Sequence, residues 1–347
     1  MTQTKTIVGI GSLNVDLIYD VNWKQLPRHI SSIIAPGDEI ALEDEEFAYL
    51  AAILRKIGRL KAKSGGGSAA NTMAALSRMG YSCGFIGRVG NDPEGDFLLE
   101  SLEGLDTSRI KRGGISGHCI SILNETGERA LIINPATNSQ LDIDDADTDY
   151  LARQARLVYM TSFVGTHPLL SQKALADQLP SEITLAFDPG EIYVQYKLAG
   201  LRDIIRRCRF IFITTHELEI LTGKPYNHGA FEVLKEGPQA VICKCGAKGV
   251  EVFGQEERFF IPAEKVEVVD KTGAGDVLAA GFLAGWMMGL PLYVCAQIGQ
   301  HCAARSITAP GRQHYPDKDF LAQILARLEA EKLQAIAEAD EINGLSQ

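Results

Sequence analysis

The second half of the chain alternates short apolar, β-branched runs with amphipathic stretches. Between residues 155 and 262, the runs LVYMTSF, ITLAFDP, RFIFIT and AVICKCG are separated by stretches such as LLSQKALADQL and LAGLRDIIRRC. A similar run, TIVGIG, stands near the start of the chain. Strands that alternate with helices indicate a parallel sheet covered by helices on both faces. We therefore predict a doubly wound α/β fold whose ligands bind beyond the carboxyl ends of the strands.

The segment from Gly117 to Asn134 breaks this alternation. Two apolar runs, HCISIL and ALIIN, flank the polar, glycine-containing stretch NETGER, which predicts a β-hairpin. Such a hairpin inside a wound α/β pattern favours a small lid. The chain has no internal repeat and no low-complexity linker. We predict one domain over residues 1–347, with a β lid built from segments around 14–20, 33–45 and 113–134.

Three further stretches predict helices. Residues 44–57 and the C-terminal run FLAQILARLEAEKLQAIAEADEI are amphipathic. Residues 277–304 contain no Asp, Glu, Lys or Arg, and by length alone they suit a membrane span. However, this run contains four glycines, a proline, two glutamines and a histidine. Two buried helices that break near Gly289-Leu290-Pro291 fit these residues better, because glycine ends helices and proline opens them.

Composition narrows the class of protein. The chain has 347 residues, 46% of them hydrophobic, which suits a globular protein with a sizeable core. The net charge is −10 and no long Lys/Arg cluster occurs, so nucleic acid is a poor candidate partner. Seven cysteines show no zinc-like spacing, and the N-terminus lacks the pattern of a secretory signal. We expect a cytoplasmic protein with reduced thiols.

The stretch VVDKTGAGDVLAAG carries the main candidate chemistry. Gly273, Ala274 and Gly275 immediately precede an apolar helical run, so their amides would point out of the first helical turn. Such an end carries roughly half a positive charge and binds phosphate-like anions. Asp276 follows at once; it could be an ordinary helix cap. A carboxylate beside an anion site repels the anion, however, so a base that deprotonates the group attacking phosphorus explains this placement better.

Other motifs are weaker. GIGSLN follows a strand like a dinucleotide fingerprint, but Asn14 replaces the third glycine, so an NAD-dependent oxidoreductase remains an alternative. HELEI has Ile220 where a zinc-protease helix needs its second histidine. Neither a Walker A lysine motif nor a protein-kinase catalytic loop is present. If the chain binds ATP, it does so by another design.

Taken together, the motifs resemble those of the ribokinase family, the phosphofructokinase B type of sugar and nucleoside kinases. DKTGAGD is similar to the family's C-terminal signature, and GGSAAN at 66–71 looks like its N-terminal signature. GSLNVD, FIGRVGNDPEGDFL, HELEILTG, CKCGAKG and ITAPGRQHYP resemble further family segments in the family's order. The resemblance covers nearly the whole chain and implies a ribokinase-like fold with an ATP-dependent kinase activity.

The resemblance implies roles for individual residues. Asp276 would be the general base, and Gly273, Ala274 and Gly275 would form the anion hole. The acceptor would be held by five residues: Asn14, Asp16, Gly66, Gly67 and Asn71. A simple turn after the first strand is the alternative reading of Asn14 and Asp16. The nucleotide would lie along Lys244, Gly246, Ala247 and Gly249.

Metal roles follow from the same resemblance. Glu217 would support Mg²⁺ through water, although Thr214 stands where the family has asparagine, and a solvated helix residue is the plainer reading of Glu217. Asp270 and Thr272 match positions that line a monovalent-cation loop in K⁺-activated members, with Lys271 intruding where a small or polar residue is common. We expect ATP and Mg²⁺ as cofactors and K⁺ as a candidate activator.

The resemblance implies that the acceptor is a furanose with a free primary hydroxyl, such as ribose or adenosine. The helix at 44–57, the region around SGHCISIL and the segment IGQHCAARSITAPGRQHYPDKDF resemble adenosine kinases. His118 and Arg129 either face the acceptor or lie on the lid surface. In relatives a lid sheet pairs with its twin, so we expect a homodimer through the lid. A non-catalytic sugar-sensing homologue is the third hypothesis, and Asp276 argues against it.

Overall fold

The computed structural model describes residues 6–35, 38–123 and 129–344. The strands are β1 (Thr6–Ile10), β2 (Asn14–Asp20), β3 (Glu39–Ala41), β4 (Arg59–Gly66), β5 (Cys83–Val89), β6 (Asp106–Arg112), β7 (Gly117–Leu123), β8 (Arg129–Asn134), β9 (Ala155–Thr161), β10 (Thr184–Asp188), β11 (Cys208–Thr214), β12 (Ala240–Lys244), β13 (Gly249–Gly254) and β14 (Arg258–Pro262). The α-helices are α1 (Arg28–Ser31), α2 (Asp44–Ile57), α3 (Ser68–Arg78), α4 (Pro93–Glu100), α5 (Asp145–Gln154), α6 (Thr166–Gln178), α7 (Gly190–Val194), α8 (Lys197–Ile205), α9 (Thr215–Thr222), α10 (Tyr226–Lys235), α11 (Ala274–Met287), α12 (Leu292–Ser306) and α13 (Lys318–Gly344).

The larger sheet has the strand order β14-β13-β12-β11-β10-β9-β1-β5-β6. The strands from β12 to β6 run parallel, and β13 and β14 are added antiparallel at one edge. Buried apolar clusters lie on both faces of this sheet beneath the helices. The doubly wound α/β prediction is therefore confirmed. The strand order reverses between β1 and β9, which is where such folds bind ligands.

The smaller sheet has five strands in the order β3-β8-β7-β2-β4. Its strands β7 and β8 pair antiparallel, and β2 lies parallel to β7. Residues 124–128, which the sequence predicts as the hairpin turn, and the Arg129 side chain lie outside the described residues. Strand β4 was not among the segments predicted for the lid, because RLKAKSGG is polar at its exposed positions and ends in glycines. We refer to this sheet as the lid.

One face of the lid is covered by helix α2 of the same chain. Ile120, Ile122 and Ile132 are fully buried there, together with Leu54 and Phe47 of α2. The apolar residues of this hairpin face therefore find their cover within the chain. The His118 ring also lies on this side, 5.7 Å from the Phe47 ring, and burial lowers its pKa.

Helices α11 and α12 account for the uncharged run at 277–304. The break falls at residues 288–291, as predicted, and both helices are buried over most of their length. Gly281 and Gly285 of α11 lie against Gly299 and Cys295 of α12, where an added methyl group would be within about 3 Å of the facing backbone. Close packing of α11 and α12 inside the domain thus explains why residues 277–304 are apolar and uncharged. Within the described ranges, no helix is long and apolar enough to cross a membrane.

Candidate active site

A cleft of about 420 Å³ lies at the switch point between β1 and β9, below the lid. Ser12 follows β1, and Ser162 and Val164 follow β9, so the carboxyl ends of both central strands open into it. Most of the predicted site residues line this cleft: Asn14, Asp16, Gly67, Asn71, Lys244, Gly246, Asp270, Thr272, Gly273, Ala274, Gly275 and Asp276. Gly66, Ala247, Gly249 and Glu217 lie outside the lining.

The turn before α11 has the conformation that an anion site needs. Gly273 is the residue before the helix, with φ 75° and ψ 3°, in the left-handed region that strongly favours glycine. Ala274, Gly275 and Asp276 form the first helical turn, where backbone amides lack intrahelical partners. A Cβ atom at position 273 would lie 2.8 Å from the Tyr315 hydroxyl. Both backbone geometry and space therefore restrict this position to glycine.

Asp276 is held by two residues of α3. The Asn71 Nδ2 atom donates to Asp276 Oδ2 at 2.9 Å, and Thr72 Oγ1 donates to the Asp276 carbonyl at 3.1 Å. The Asn71 amide is itself oriented, because Arg312 Nε donates to its Oδ1 at 3.1 Å. Arg312 also bonds the Ser101 carbonyl at 2.9 Å. A chain of hydrogen bonds thus fixes the carboxylate at the mouth of the amide-bearing turn.

On the lid side of the cleft, Asn14 and Asp16 lie at alternate positions of β2 and face the same side of the sheet. Asn138, 1% exposed, donates to Asn14 Oδ1 at 3.0 Å and also bonds both backbone groups of Leu13. The Asp16 carboxylate lies directly over Gly66, so any side chain at position 66 would collide with it. Gly66 therefore contributes to the site by leaving room for Asp16, although it does not line the cleft itself.

A buried charge cluster lies beside the anion turn. Lys244 ends β12, and its Nζ bonds Asp188 Oδ2 at 2.6 Å, with side chains 13% and 6% exposed. A Cβ atom built on Gly275 would lie 3.6 Å from Lys244 Nζ, so the ammonium adjoins the first turn of α11. Burial alone would lower the Lys244 pKa, but Asp188 and Glu217 outweigh it and hold the pKa above its usual value. Lys244 is therefore a cation at neutral pH.

Glu217 lies behind the cleft rather than in its wall. Its Oε2 accepts the Thr214 amide at 2.7 Å, and Thr214 Oγ1 accepts the Glu217 amide at 3.1 Å, so the two form a capping box at the start of α9. Burial raises the Glu217 pKa, opposed by the nearby Lys244 ammonium. Thr214 itself lines the cleft. The threonine that replaces the family asparagine thus keeps an N-cap role.

The candidate cation loop is tied together by Asp270. Its Oδ1 accepts the Thr272 amide at 2.9 Å and its Oδ2 accepts the Gly311 amide at 3.0 Å. The carboxylate therefore bridges the turn before α11 and the segment after α12.

The predicted nucleotide-binding turn follows β12. Gly246, Ala247 and Lys248 form a short 3-10 helix that leads into β13 at Gly249, and Gly246 lines the cleft. No cluster of three or more His, Cys, Asp or Glu side chains suited to a metal occurs in the described ranges.

Three residues of this network were not found from the sequence. Asp188, Asn138 and Arg312 each fix a predicted site residue, at sequence separations of 56, 124 and 241 residues. Asp188 ends a strand at the carboxyl edge of the sheet, which is a signal that sequence reasoning could have used. Asn138 lies in the short 3-10 helix Ala136–Gln140 and Arg312 in a turn, and neither position carries such a signal.

Known proteins match this chain over most of its length. The family model described as pfkB family carbohydrate kinase matches residues 56–319. A protein named an uncharacterized sugar kinase from Archaeoglobus fulgidus is 32% identical over 242 residues, which cover 68% of this chain and 95% of that protein. A protein named ATP-dependent ribose-1-phosphate kinase from Halopiger xanaduensis is 28% identical over 275 residues, covering 77% and 88%.

The fold also matches solved structures. The crystal structure of adenosine kinase from Sinorhizobium meliloti superposes with a TM-score of 0.80 at 21% identity, covering 92% of this chain and 99% of that one. At this identity the match supports the fold alone. The family assignment rests instead on the match to the family model and on the sequence relatives. This assignment agrees with the order of the motifs and with the cleft at the switch point. The chain belongs to the pfkB family of carbohydrate kinases.

Proposed function

We propose that this kinase transfers the γ-phosphoryl group of ATP to a primary hydroxyl of a furanose sugar or nucleoside. The observation that carries the proposal is the Asp276 carboxylate, fixed by Asn71, in the first turn of α11 directly after the left-handed Gly273, with the whole turn lining the switch-point cleft. The lid, with Asn14 and Asp16, lies on the other side of the cleft. An acceptor hydroxyl held there would lie between a base and a phosphate site.

In the proposed reaction Asp276 accepts the proton of the acceptor hydroxyl. The acceptor oxygen forms a bond to the γ-phosphorus, the bond from that phosphorus to the β–γ bridging oxygen breaks, and ADP leaves. The amides of Gly273, Ala274 and Gly275 donate to the oxygens of the transferred group, where preorganised donors stabilise developing charge. Lys244, adjacent to Gly275, adds a fixed positive charge at the same place. The lid excludes water and so suppresses ATP hydrolysis.

Kinases of this family use ATP and Mg²⁺. Glu217 would support Mg²⁺ through water, and the metal would supply positive charge that neutralises the phosphates. The described residues suit a metal that would be held mainly by phosphates and water. Glu217 and Asp188 place carboxylates beside Lys244 behind the cleft lining, and no cluster of three or more His, Cys, Asp or Glu side chains suited to a metal occurs among the described residues. We propose that Gly246, Ala247 and Gly249 border the nucleotide. Asp270 and Thr272 support a K⁺-responsive loop, because Asp270 connects its two segments.

The homodimer through the lid, expected because lid sheets pair in relatives, stays a prediction. Within the chain, α2 covers Ile120, Ile122 and Ile132 on one face of the lid. Leu131 and Ile133 line the cleft on the other face. A cytoplasmic location stays a prediction.

The test is an ADP-release screen over nucleosides and furanose sugars with ATP and Mg²⁺, with and without K⁺. The control is Asp276→Asn, which keeps the shape of the side chain and removes the base. We expect turnover to fall by about 10²–10⁴-fold, with ATP and acceptor binding retained in calorimetry. Normal turnover in Asp276→Asn would refute the assigned base. Tight NAD binding without any effect of ATP would favour the oxidoreductase alternative, and binding without turnover in the wild type would favour a sugar sensor.

A further inference from the structure

Two cysteines flank Lys244 at the end of β12. Cys243 is the next-to-last residue of the strand, and Cys245 follows the strand directly. Because side chains alternate along a strand, both cysteines face one side of the sheet and Lys244 faces the other. The packing agrees, since Cys243 belongs to one of the two apolar clusters beneath the helices and Cys245 packs against the same cluster. Lys244 and Gly246, by contrast, line the cleft.

The Cys245 thiol is turned back toward Cys243. Its Sγ atom donates to the Cys243 carbonyl at 3.4 Å, and the two thiols are in hydrogen-bonding contact with each other. Both are free thiols in the structure. Two residues of extended strand span about 6.6 Å between Cα atoms, near the upper end of the range of about 4.4–6.8 Å that disulfides bridge. A disulfide between these two cysteines therefore needs only a slight contraction of the end of β12.

The two thiols differ in exposure and in reactivity. Cys245 is partly exposed, whereas Cys243 is fully buried. The hydrogen bond with Cys243 lowers the pKa of Cys245, and burial and the Glu251 carboxylate on β13 oppose this effect. The same hydrogen bond, together with burial, raises the pKa of Cys243. Because the thiolate is the nucleophile, Cys245 is the thiol that an oxidant attacks first, and Cys243 is the thiol that then closes the disulfide.

We propose that Cys243 and Cys245 form a peroxide-sensitive dithiol site, whose oxidation to a disulfide reversibly displaces Lys244 from the phosphate end of the cleft. Lys244 is the residue that must move when the strand end contracts, because it lies between the two sulfur-bearing residues. Its Nζ atom lies 2.6 Å from Asp188 Oδ2 and adjoins the first turn of α11. Oxidation thus moves a fixed positive charge away from the proposed phosphoryl site. This effect on turnover rests on the proposed kinase function, whereas the disulfide itself does not.

The oxidation takes two steps with hydrogen peroxide as the oxidant. The Cys245 thiolate attacks one peroxide oxygen, so that a sulfur–oxygen bond forms, the oxygen–oxygen bond breaks, and Cys245 becomes a sulfenic acid. The departing hydroxide takes up the proton that the Cys245 thiol released and becomes water. The Cys243 sulfur then attacks the Cys245 sulfur, the sulfur–oxygen bond breaks, and hydroxide leaves with the Cys243 proton as a second water. The two thiols lose two electrons, which the peroxide gains, and a small dithiol reverses the reaction by thiol–disulfide exchange.

A tryptic digest tests the disulfide directly, because the cleavage site at Lys244 lies between the two cysteines. The reduced and alkylated protein yields residues 236–244 and 245–248 as separate peptides, whereas a disulfide keeps them joined. We expect mass spectrometry to find the joined pair after brief treatment of the folded protein with peroxide, and to find it lost after dithiothreitol. Unmodified thiols, or a sulfinic acid at Cys245 in place of the joined pair, would overturn the proposal.

Turnover is measured on the same samples by ADP release, with the acceptor that the screen of nucleosides and sugars identifies. We expect kcat to fall by about 10- to 100-fold on oxidation, as for a small displacement of a catalytic group, and to recover with dithiothreitol. Joined peptides with an unchanged kcat would overturn the displacement of Lys244. Absence of turnover in the reduced protein would refute the kinase proposal and the effect on kcat, while the peptides would still establish or refute the dithiol site.

Two single variants assign the loss of turnover to this pair, each compared with its own reduced state. Cys245→Ser cannot form the disulfide, so peroxide should leave its kcat unchanged. The matched control is Cys119→Ser, because Cys119 is the other partly exposed cysteine and lines the cleft. This control should lose turnover on oxidation as the wild type does. Sensitivity that persists in Cys245→Ser and disappears in Cys119→Ser would assign the effect to the lid and overturn the proposal. Melting temperatures of both variants verify that they fold.

Discussion

The two ends of the cleft are built in different ways. At the phosphate end, one turn at residues 273–276 supplies amides and base, and buried charges pair with one another around it. At the acceptor end, the wall is assembled from alternate residues of five strands, with its charge and polarity set by the register between them. The phosphate end is thus fixed by a local motif, and the acceptor end is free to vary without disturbing it. This difference suits a family that keeps one reaction and changes its acceptors.

Removing Lys244 should have the largest effect on the phosphate end. In Lys244→Met we expect kcat to fall by about 10²–10³-fold, as for loss of one group that stabilises transition-state charge. We also expect the free energy of unfolding to fall by about 3–5 kcal/mol, because Asp188 is left buried without its ion-pair partner. Steady-state kinetics and urea denaturation measure the two effects.

A double variant separates those two effects. Lys244→Met with Asp188→Leu replaces the buried pair by apolar groups, so stability should return toward that of the wild type. Activity should not return. If the double variant regained both, Lys244 would be only a counter-ion for Asp188, and the phosphate end would depend on amides alone.

Loosening Asn71 should have a smaller effect at the same end. Arg312→Gln removes the donor to Asn71 Oδ1 and the bond to the Ser101 carbonyl. We expect kcat to fall by about 10-fold, up to about 10²-fold, since small displacements of a catalytic group have costs of this size. KM for the acceptor should change little, because Arg312 is a positioning residue for Asp276. A rise in KM with unchanged kcat would contradict this role, and Arg312→Lys should recover only part of the loss.

These contacts show what the sequence could predict and what it could not. The alternation of runs predicts the parallel sheet, and the glycine turn before an apolar helix predicts the amide site, because both signals are local. Asn138 on Asn14 and Arg312 on Asn71 join residues more than 120 positions apart, so no spacing in the chain reports them. Strand β4 was missed because an edge strand with one solvated face lacks a continuous apolar run. The lid's charge pattern depends on register, which follows from pairing in three dimensions.

The packing of α2 against the lid provides a test of the acceptor end. In Leu54→Ala we expect the lid to open more often, because Leu54 of α2 is fully buried against its outer face and such truncations cost about 2–5 kcal/mol. KM for the acceptor should rise several-fold while ATP affinity stays unchanged. Hydrogen exchange should accelerate in β7 and β8 and not in β9 or β10. Equal acceleration in both sheets would show that lid and main domain unfold together.

The smallest expected effect concerns a charge cluster outside both ends of the cleft. This cluster makes a small contribution to the free energy of unfolding that is lost at low pH. Lys111 Nζ lies 2.9 Å from Asp144 Oδ2 and from the fully buried Asp147. Burial would raise the Asp144 pKa, but the bonds from Lys111 and from the Asp147 amide lower it to about 2. A lowered pKa stabilises the fold above the unfolded value of about 4, and this contribution is lost as pH falls from there through about 2. Asp144 is 45% exposed, so the contribution is only about 1 kcal/mol or less. The urea midpoint should therefore fall slightly less steeply between pH 5 and pH 2 in Asp144→Asn than in the wild type. The kcat at neutral pH should be the same in both proteins. A changed kcat would show that this cluster is coupled to the cleft.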